Sequence, residues 1–440
     1  MELHGNNPQQ NVIAIIPARY ASTRLHGKML LEIDGKPLIL HTLDQASKAQ
    51  TVTRVIVATD DERIFRVVND HGGEAVMTST QHASGSDRLA EAAENLPTGS
   101  IIVNVQGDEP LISPDTIDAA VKRMLEGEAD IVTVSEPLTS LHGELLNFNV
   151  VKVVCSDDGR ALYFSRSPVP FPRDASLRHG GDPSRALENE PELFANFRKH
   201  TGLYVYRREF LLKFTKLPQT RLEKLESLEQ LRALEHGAVI KVVDSVGTSI
   251  GIDTPDDLDR VRLMIEFPGI GFRQGTIADL PAISDVYVHS VQSSHAGFLP
   301  DEYLEGISAE ERVVVFARRR NDNAESYRLI IAEDENARIV GFIDYAHLKE
   351  GNFSHDGRIF SFYVLPEFQR RGLGTLLFRD CLRRMGLECY GSVCLDTYAE
   401  SPYRRFYEKM GGTLIGSQSH EIKGERMPTV VYGWEQLDRI

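Results

Sequence analysis

An alternation of residue character constrains this chain more than any single motif. From residue 12 to about 266, short apolar runs (12–16, 55–58, 101–105 and 131–134) take turns with stretches long enough for amphipathic helices. Parallel strands need a crossover between them and are buried on both faces, so this order predicts an α/β sheet with parallel strands and helices on both sides. The alternation breaks at Phe267-Pro268-Gly269-Ile270-Gly271 and restarts near Thr276. Beyond the break the pattern predicts strands over 328–333, 339–347, 359–364 and 392–397, with a helix over 372–385. At roughly 150 residues per domain, 440 residues accommodate two or three units, and the break divides the chain into 11–266 and 272–440. Neither half repeats the other. The polar stretch 174–193, with Gly180-Gly181 and Asp182-Pro183, reads as a mobile surface loop.

Composition removes several classes of function. Lys+Arg 49 against Asp+Glu 64 leaves a net charge of −15, which repels polyanions as a whole and argues against nucleic-acid binding, although a local basic pocket can still hold a nucleotide. The four cysteines, Cys155, Cys381, Cys389 and Cys394, have neither the spacing of a zinc site nor the density of a disulfide scaffold, and read as reduced thiols. No run approaches the roughly 18 apolar residues of a membrane span, and residues 1–10 are polar, which leads to the expectation of a cytoplasmic protein with no membrane partner.

Three segments of the first half carry chemistry. The strand at 12–16 runs into a loop, 17–28, with small residues and the cations Arg19, Arg24 and Lys28; small residues let backbone N–H groups approach phosphate oxygens, and cations neutralise a leaving pyrophosphate. Gln106-Gly107-Asp108-Glu109-Pro110 places a carboxylate just past an apolar strand, where ligands of α/β sheets collect, and Asp108 there suits Mg²⁺. Far along the chain, Gly251-Ile252-Asp253-Thr254-Pro255 offers a second acid immediately before a helix; the plainer reading makes Asp253 or Thr254 the helix cap with Pro255 in the first turn.

In order and combination, the segments 17–28, 82–88, 106–110, 163–166, 200–204, 228–232 and 251–258 resemble the 3-deoxy-manno-octulosonate (Kdo) cytidylyltransferases over about 11–266. The resemblance implies a nucleotidyltransferase with a Rossmann-like mixed sheet and helices on both faces, working as a homodimer. It further implies that the anomeric hydroxyl of an acidic 3-deoxy sugar attacks the α-phosphate of CTP. On the same resemblance, Arg19 and Lys28 bind the triphosphate, Ser84 and Arg88 belong to the nucleotide pocket, and Asp108 and Asp253 hold Mg²⁺. The sugar falls to Arg166, His200, Tyr204, Glu229 and Gln230, with Gln106 nearby. Arg166 suits a sugar carboxylate through its planar fork, and Glu229 and Gln230 suit hydroxyls. His26 stands where that family usually carries proline, and the long 174–193 segment departs from the shorter family form; amino-Kdo and nonulosonates are therefore alternative sugars.

The second half carries its own motif. Phe362-Tyr363-Val364 leads through Gln369-Arg370-Arg371-Gly372-Leu373-Gly374-Thr375 into a helix, a basic turn whose free N–H groups and helix dipole suit a pyrophosphate. With the later segment 403–412, this unit resembles a GNAT-type N-acetyltransferase of α+β fold from about 272 to the C-terminus. That resemblance implies acetyl-CoA as co-substrate, its pyrophosphate wrapped by residues 369–375, Val364 offering backbone contacts, and Tyr407 as the general acid for the leaving thiolate. Ser401 stands where Asn is common, and Arg358 where many members carry a Glu base, so the base is open between Asp344, Asp356 and a water-mediated route. The reading is a bifunctional enzyme; the rival makes the second domain an acetyl-CoA sensor or assembly module.

Overall fold

The computed structural model describes residues 11–21, 25–82, 84–138, 140–247, 249–348, 354–422 and 424–437. Ser22–Arg24 and Ala83, which belong to two of the motifs above, lie outside the described residues. The chain divides into two units, Met1–Val261 and Arg262–Ile440.

In the first unit a central sheet runs, from one edge to the other, through strands Ile240–Asp244, Ile131–Pro137, Arg198–Arg207, Ile101–Asn104, Val12–Ala18, Arg54–Thr59 and Glu74–Met77. A further pair, Lys152–Cys155 and Ala161–Ser165, joins through Arg198–Arg207. All neighbours on the main path are parallel except Arg198–Arg207, which is antiparallel to both of its neighbours. The sheet is the mixed one that the family resemblance implies; the apolar alternation by itself reads as parallel strands, because burial on both faces looks the same in either strand direction. Chain order reverses beside Val12–Ala18, whose neighbours are Arg54–Thr59 on one side and Ile101–Asn104 on the other. A crevice opens at such a point, at the carboxyl ends of the strands.

Segment 174–193 is not a loop. It forms helices Arg173–Arg178 and Pro183–Asn189 and a 3₁₀ turn Pro191–Asn196. Asp182 caps the second helix by accepting from the amides of Ser184 (2.8 Å) and Arg185 (3.3 Å), with Pro183 in the first turn. Leu187 is buried with Leu138, Leu145 and Phe197, and Glu190 pairs with Arg178 (2.6 Å) and His179 (2.9 Å). Scattered small apolar residues and a cap were enough, where glycines and charges dominated the sequence reading.

The second unit is a seven-stranded sheet in the order Gly271–Gln274, Arg328–Glu333, Ile339–His347, Gly357–Val364, Ser392–Tyr398, Glu425–Glu435, Thr413–Ile422. Helices Leu280–Ser294, Ala309–Asp322 and Leu373–Leu387 belong to the same unit. Every neighbouring pair is antiparallel except Gly357–Val364 with Ser392–Tyr398. That parallel pair is in register only at Gly357/Val393 and Arg358/Cys394; beyond Arg358 the two strands are no longer paired.

The second core reaches back across the glycine–proline break. Phe267 is 3% exposed and packs in the same cluster as Leu280, Ile331 and Leu373, with Leu263 and Ile270 against it. A fragment Arg262–Ile440 is therefore expected to fold alone, and one starting at Phe272 to be less stable by about 3–5 kcal/mol, the usual cost of deleting a buried phenylalanine. Urea titration followed at Trp434, the chain's one tryptophan, measures this; coincident curves for the two fragments would remove Phe267 from the second core.

Candidate active sites

The first site forms at the crevice where strand order reverses. Lys28 opens a short 3₁₀ turn, Lys28–Leu30, past strand Val12–Ala18; Asp108 follows strand Ile101–Asn104, and Asp253 precedes helix Pro255–Glu266. The three meet. The Lys28 ammonium, on a residue only 8% exposed, donates to Asp108, to the Ile252 carbonyl (2.9 Å) and to Asp253 Oδ1 (3.2 Å). Asp253 is not the helix cap. Asp257 accepts from the amides of Asp253 (3.1 Å) and Thr254 (2.9 Å), and its own amide donates to Thr254 Oγ1 (3.2 Å). That reciprocal box takes over the capping and leaves the Asp253 carboxylate to face Lys28. Gly107 is required where it stands, since a Cβ would lie 2.9 Å from the Pro17 carbonyl.

Gln106 Nε2 donates to the Gly202 carbonyl (3.1 Å), tying this mouth to the reversed strand Arg198–Arg207. On that strand His200 bonds Thr133 Oγ1 through Nε2 (2.8 Å) and packs edge-on against Phe164 and beside Tyr204. Burial pushes the imidazole down to about 3, so it is neutral near pH 7. Burial likewise holds the Tyr204 phenol protonated, with the Glu229 charge adding to the effect. Glu229 accepts from Ser86 Oγ (2.7 Å), and Gln230 is buried beside it in the chain. Thus His200, Tyr204 and Glu229 form one polar–aromatic wall.

The remaining first-unit residues are more committed than their motifs suggest. Ser84 caps helix Gly85–Ala93 through the Asp87 amide (3.2 Å). Arg88 is buried and bound to Asp60 (2.7 Å) and Thr78. Arg166 spends its guanidinium on backbone carbonyls of Glu226 (2.7 Å), Phe148 (3.0 Å) and Ser227 (3.4 Å). Arg19 is exposed. Glu109 escaped the sequence reading although it adjoins Asp108. It accepts from Ser249 Oγ (3.0 Å) and is pushed up to about 7, first by burial and then by the Asp108 charge.

The second site is a cavity of about 750 Å³ in the gap left by the separating strands, walled by Phe362 and Tyr363 on one side and Asp396 and Tyr398 on the other. Val364, Gln369, Arg370, Gly372, Gly374 and Thr375 line it. Leu373 and Arg371 do not: Leu373 is fully buried in the core, and the Arg371 guanidinium lies over Phe267 and Phe368. Their part in a pyrophosphate site reduces to backbone. Gly372 sits at φ 107°, a turn open to glycine, and starts helix Leu373–Leu387. Tyr407 faces the cavity among Phe406, Phe378 and Trp434. Burial raises its hydroxyl well above the ordinary range, so it is a donor at neutral pH.

Neither Asp344 nor Asp356 reaches this cavity. Asp344 is fully buried against Arg319 (2.8 Å) and the Tyr327 hydroxyl (3.1 Å); Asp356 accepts from the amides of Gly391 (2.8 Å) and Ser392 (3.0 Å). The acid that does line it is Asp396, paired with Arg358 and with His420 Nε2 (2.6 Å). An aspartate directly after the apolar run Val393–Leu395, within the strand, was a legible signal for Asp396; nothing local marks His420, which comes from a neighbouring hairpin.

A family model described as cytidylyltransferase matches residues 13–242, more than half of the chain. The chain belongs to the cytidylyltransferase family. A 3-deoxy-manno-octulosonate cytidylyltransferase of Geobacter sulfurreducens is 50% identical over 256 residues, covering 57% of this chain and 98% of the relative. One from Geotalea daltonii is 51% identical over 255 residues, covering 57% and 96%. A solved CMP:2-keto-3-deoxy-manno-octonic acid synthetase complexed with CTP is 37% identical, covers 58% of this chain and 98% of its own, and superposes with a TM-score of 0.52. Residues 294–412 match the acetyltransferase (GNAT) family model, so a GNAT domain follows the cytidylyltransferase. Among the described residues, no helix is long and apolar enough to cross a membrane.

In this cytidylyltransferase unit, His200 binds its proton near pH 6.5 when unfolded but only near 3 when folded. The unfolded state holds more protons between those values, so stability is full above about pH 6.5 and falls as acid is added. His200→Gln should flatten that fall. Urea midpoints of variant and wild type at pH 7 and pH 5, followed by circular dichroism, test this; parallel losses in the two proteins would exclude His200 as the source.

Proposed function

We propose that the first unit joins CMP from CTP to the anomeric oxygen of Kdo or a closely related 3-deoxy-ulosonic acid, and that the second transfers acetyl from acetyl-CoA to an amine. The observation that carries the first reading is the convergence of Asp108 and Asp253, from distant parts of the chain, on one cationic atom at the mouth of the sheet. Two hard carboxylates and a carbonyl around a cation fit Mg²⁺, which takes one or two carboxylates and completes its shell with water and phosphate oxygens. Asp108 and Asp253 would hold the ion, and the chemistry it supplies is charge neutralisation on the phosphates.

The sugar's anomeric oxygen bonds to the α-phosphorus and its hydroxyl proton passes to solvent, while the bond from the α-phosphorus to the bridging oxygen breaks and pyrophosphate leaves with the charge. Such a transfer asks the protein for position and electrostatics. Arg19 and Lys28 neutralise the triphosphate. Ser84 starts the helix at the nucleotide pocket, while Arg88, clamped by Asp60, fixes the pocket wall. The sugar ring lies against the wall of neutral His200, Tyr204 and Glu229, with Gln230 and Gln106 offering amides. Arg166 reaches the sugar carboxylate by exchanging neutral carbonyl partners for a charged one, which binds it more strongly. Assembly as a homodimer stays part of this reading.

In the second unit the split between the strands admits the pantetheine arm of acetyl-CoA, the amides of residues 369–375 take the pyrophosphate, and Tyr407 protonates the departing thiolate. The His420 imidazole, held by Asp396, is the base we assign for the acceptor amine: a carboxylate-oriented histidine is a recurrent base arrangement. An amino sugar of the same route is the acceptor class that fusion to a sugar-activating unit favours.

Mass spectrometry of CTP-dependent products over Kdo, amino-Kdo and nonulosonates, with and without acetyl-CoA and an amine panel, tests both halves. Release of free CoA separates a transferase from a sensor. Asp253→Asn should lower CMP-sugar formation to about 1% of wild type or less, by analogy with the loss of one stabilising group at a charged transition state, and leave acetyl-CoA binding unchanged. Near-wild-type synthesis would take Asp253 out of the metal site. Gly374→Glu, whose Cβ would lie 3.3 Å from the Phe362 ring and whose charge would face the pyrophosphate, should eliminate acetyl-CoA binding in calorimetry; equal affinity would refute that placement of the cofactor.

A further inference from the structure

Lys28 raises a question that the reaction itself leaves open. A residue assigned to the triphosphate is buried instead among three oxygen atoms: a carboxylate oxygen of Asp108, the Ile252 carbonyl (2.9 Å) and Asp253 Oδ1 (3.2 Å). These are the hard oxygens of the proposed magnesium seat, and the ammonium fills it. Among the described residues no group of three or more acidic, thiol or imidazole side chains can hold a metal, so the seat offers two carboxylates and no third. A divalent ion entering the nucleotide-free protein would have to displace the ammonium from two part-buried carboxylates and still leave most of its shell to water. Its gain over hydration would be small, since Mg²⁺ dehydrates reluctantly.

We propose that Lys28 is an internal placeholder for the metal, and that the nucleotide drives the exchange. This rests on the metal reading of Asp108 and Asp253. Without CTP, the ammonium adds a counter-charge to both carboxylates in a partly buried mouth. When CTP arrives, its triphosphate supplies a competing polyanion for the ammonium and, at the same time, the phosphate oxygens that complete the metal's shell. Lys28 moves from the carboxylates to the phosphates, and the ion takes its place. One cation leaves the seat as another enters, so the two carboxylates are never without a counter-charge. The metal therefore binds tightly only with nucleotide, and the lysine reaches the triphosphate only when the metal has entered. Gly27, immediately before Lys28, and the single 3₁₀ turn that follows give this side chain a short, irregular support in place of a long helix.

The test titrates Mn²⁺, read by electron paramagnetic resonance as a stand-in for Mg²⁺, into the full chain without nucleotide and with CTP. Wild type should bind weakly alone and at least about tenfold more tightly with CTP, a difference of about 1.4 kcal/mol. Lys28→Met should bind Mn²⁺ at least about tenfold more tightly than wild type in the absence of CTP, and Mn²⁺ alone should raise its melting temperature. Lys28→Arg keeps a cation in the seat and should behave as wild type without CTP. Should Lys28→Met fail to give a native circular-dichroism spectrum, Lys28→Gln takes its place. A merely structural lysine would not yield a gain in metal affinity on removal, so unchanged nucleotide-free affinity in both neutral variants overturns the proposal. Mn²⁺ binding with CTP that is equal in wild type and Asp253→Asn overturns the metal seat itself, and the placeholder with it. Tight nucleotide-free binding by wild type refutes the placeholder while leaving the metal seat standing.

Discussion

Backbone amides and carbonyls that lose their ladder partners must find others, and a parallel sheet concentrates that demand at the places where neighbouring strands part. Both units of this chain have one such place. In the first, order reverses beside Val12–Ala18, and the connections leaving its end and that of Ile101–Asn104 diverge. In the second, Gly357–Val364 and Ser392–Tyr398 stop pairing after Arg358. Each opening is answered by polar groups: Lys28, Gln106 and Asp108 at one, Arg358, Asp396 and His420 at the other. The candidate sites of both units lie at these openings.

The two openings are charged in different ways. The first is a seat of two carboxylates with a lysine in it, bordered by a neutral histidine and phenols whose protonation is fixed by burial. Glu109, beside Asp108, is pushed up to about 7 by burial and by the Asp108 charge. The second is walled largely by aromatic rings, with the Asp396 cluster as its concentrated charge and a tyrosine hydroxyl kept protonated within. The proposed substrates, a polyanionic nucleotide at one and a thioester with an amine at the other, would make corresponding demands.

Much of this was legible from the residues. Strands 328–333 and 339–347 run as the apolar pattern placed them, because a strand buried on both sides writes its length directly as an apolar run. The acids of the first site were readable from their position after a strand and before a helix. What escaped depended on partners distant in the chain. The direction of Arg198–Arg207 left no mark in burial, the helices within 173–196 were hidden by surface charges, and His420 acquires meaning only opposite Asp396. Arg166 was legible as a guanidinium but not as one held by three carbonyls, since carbonyls are written by every residue alike.

The box between Thr254 and Asp257 has a wider consequence. Asp253 and Thr254 are neighbours, yet one turns its side chain to the crevice and the other to the helix start. The end of helix Pro255–Glu266 and the charge of the crevice are therefore set by separate side chains. Exchanging one cap for another can change how firmly the helix begins without changing the charge at the crevice, and the reverse holds at Asp253. Stability and chemistry can drift independently at two adjacent residues, a freedom that a single aspartate serving both ends would not leave to its descendants.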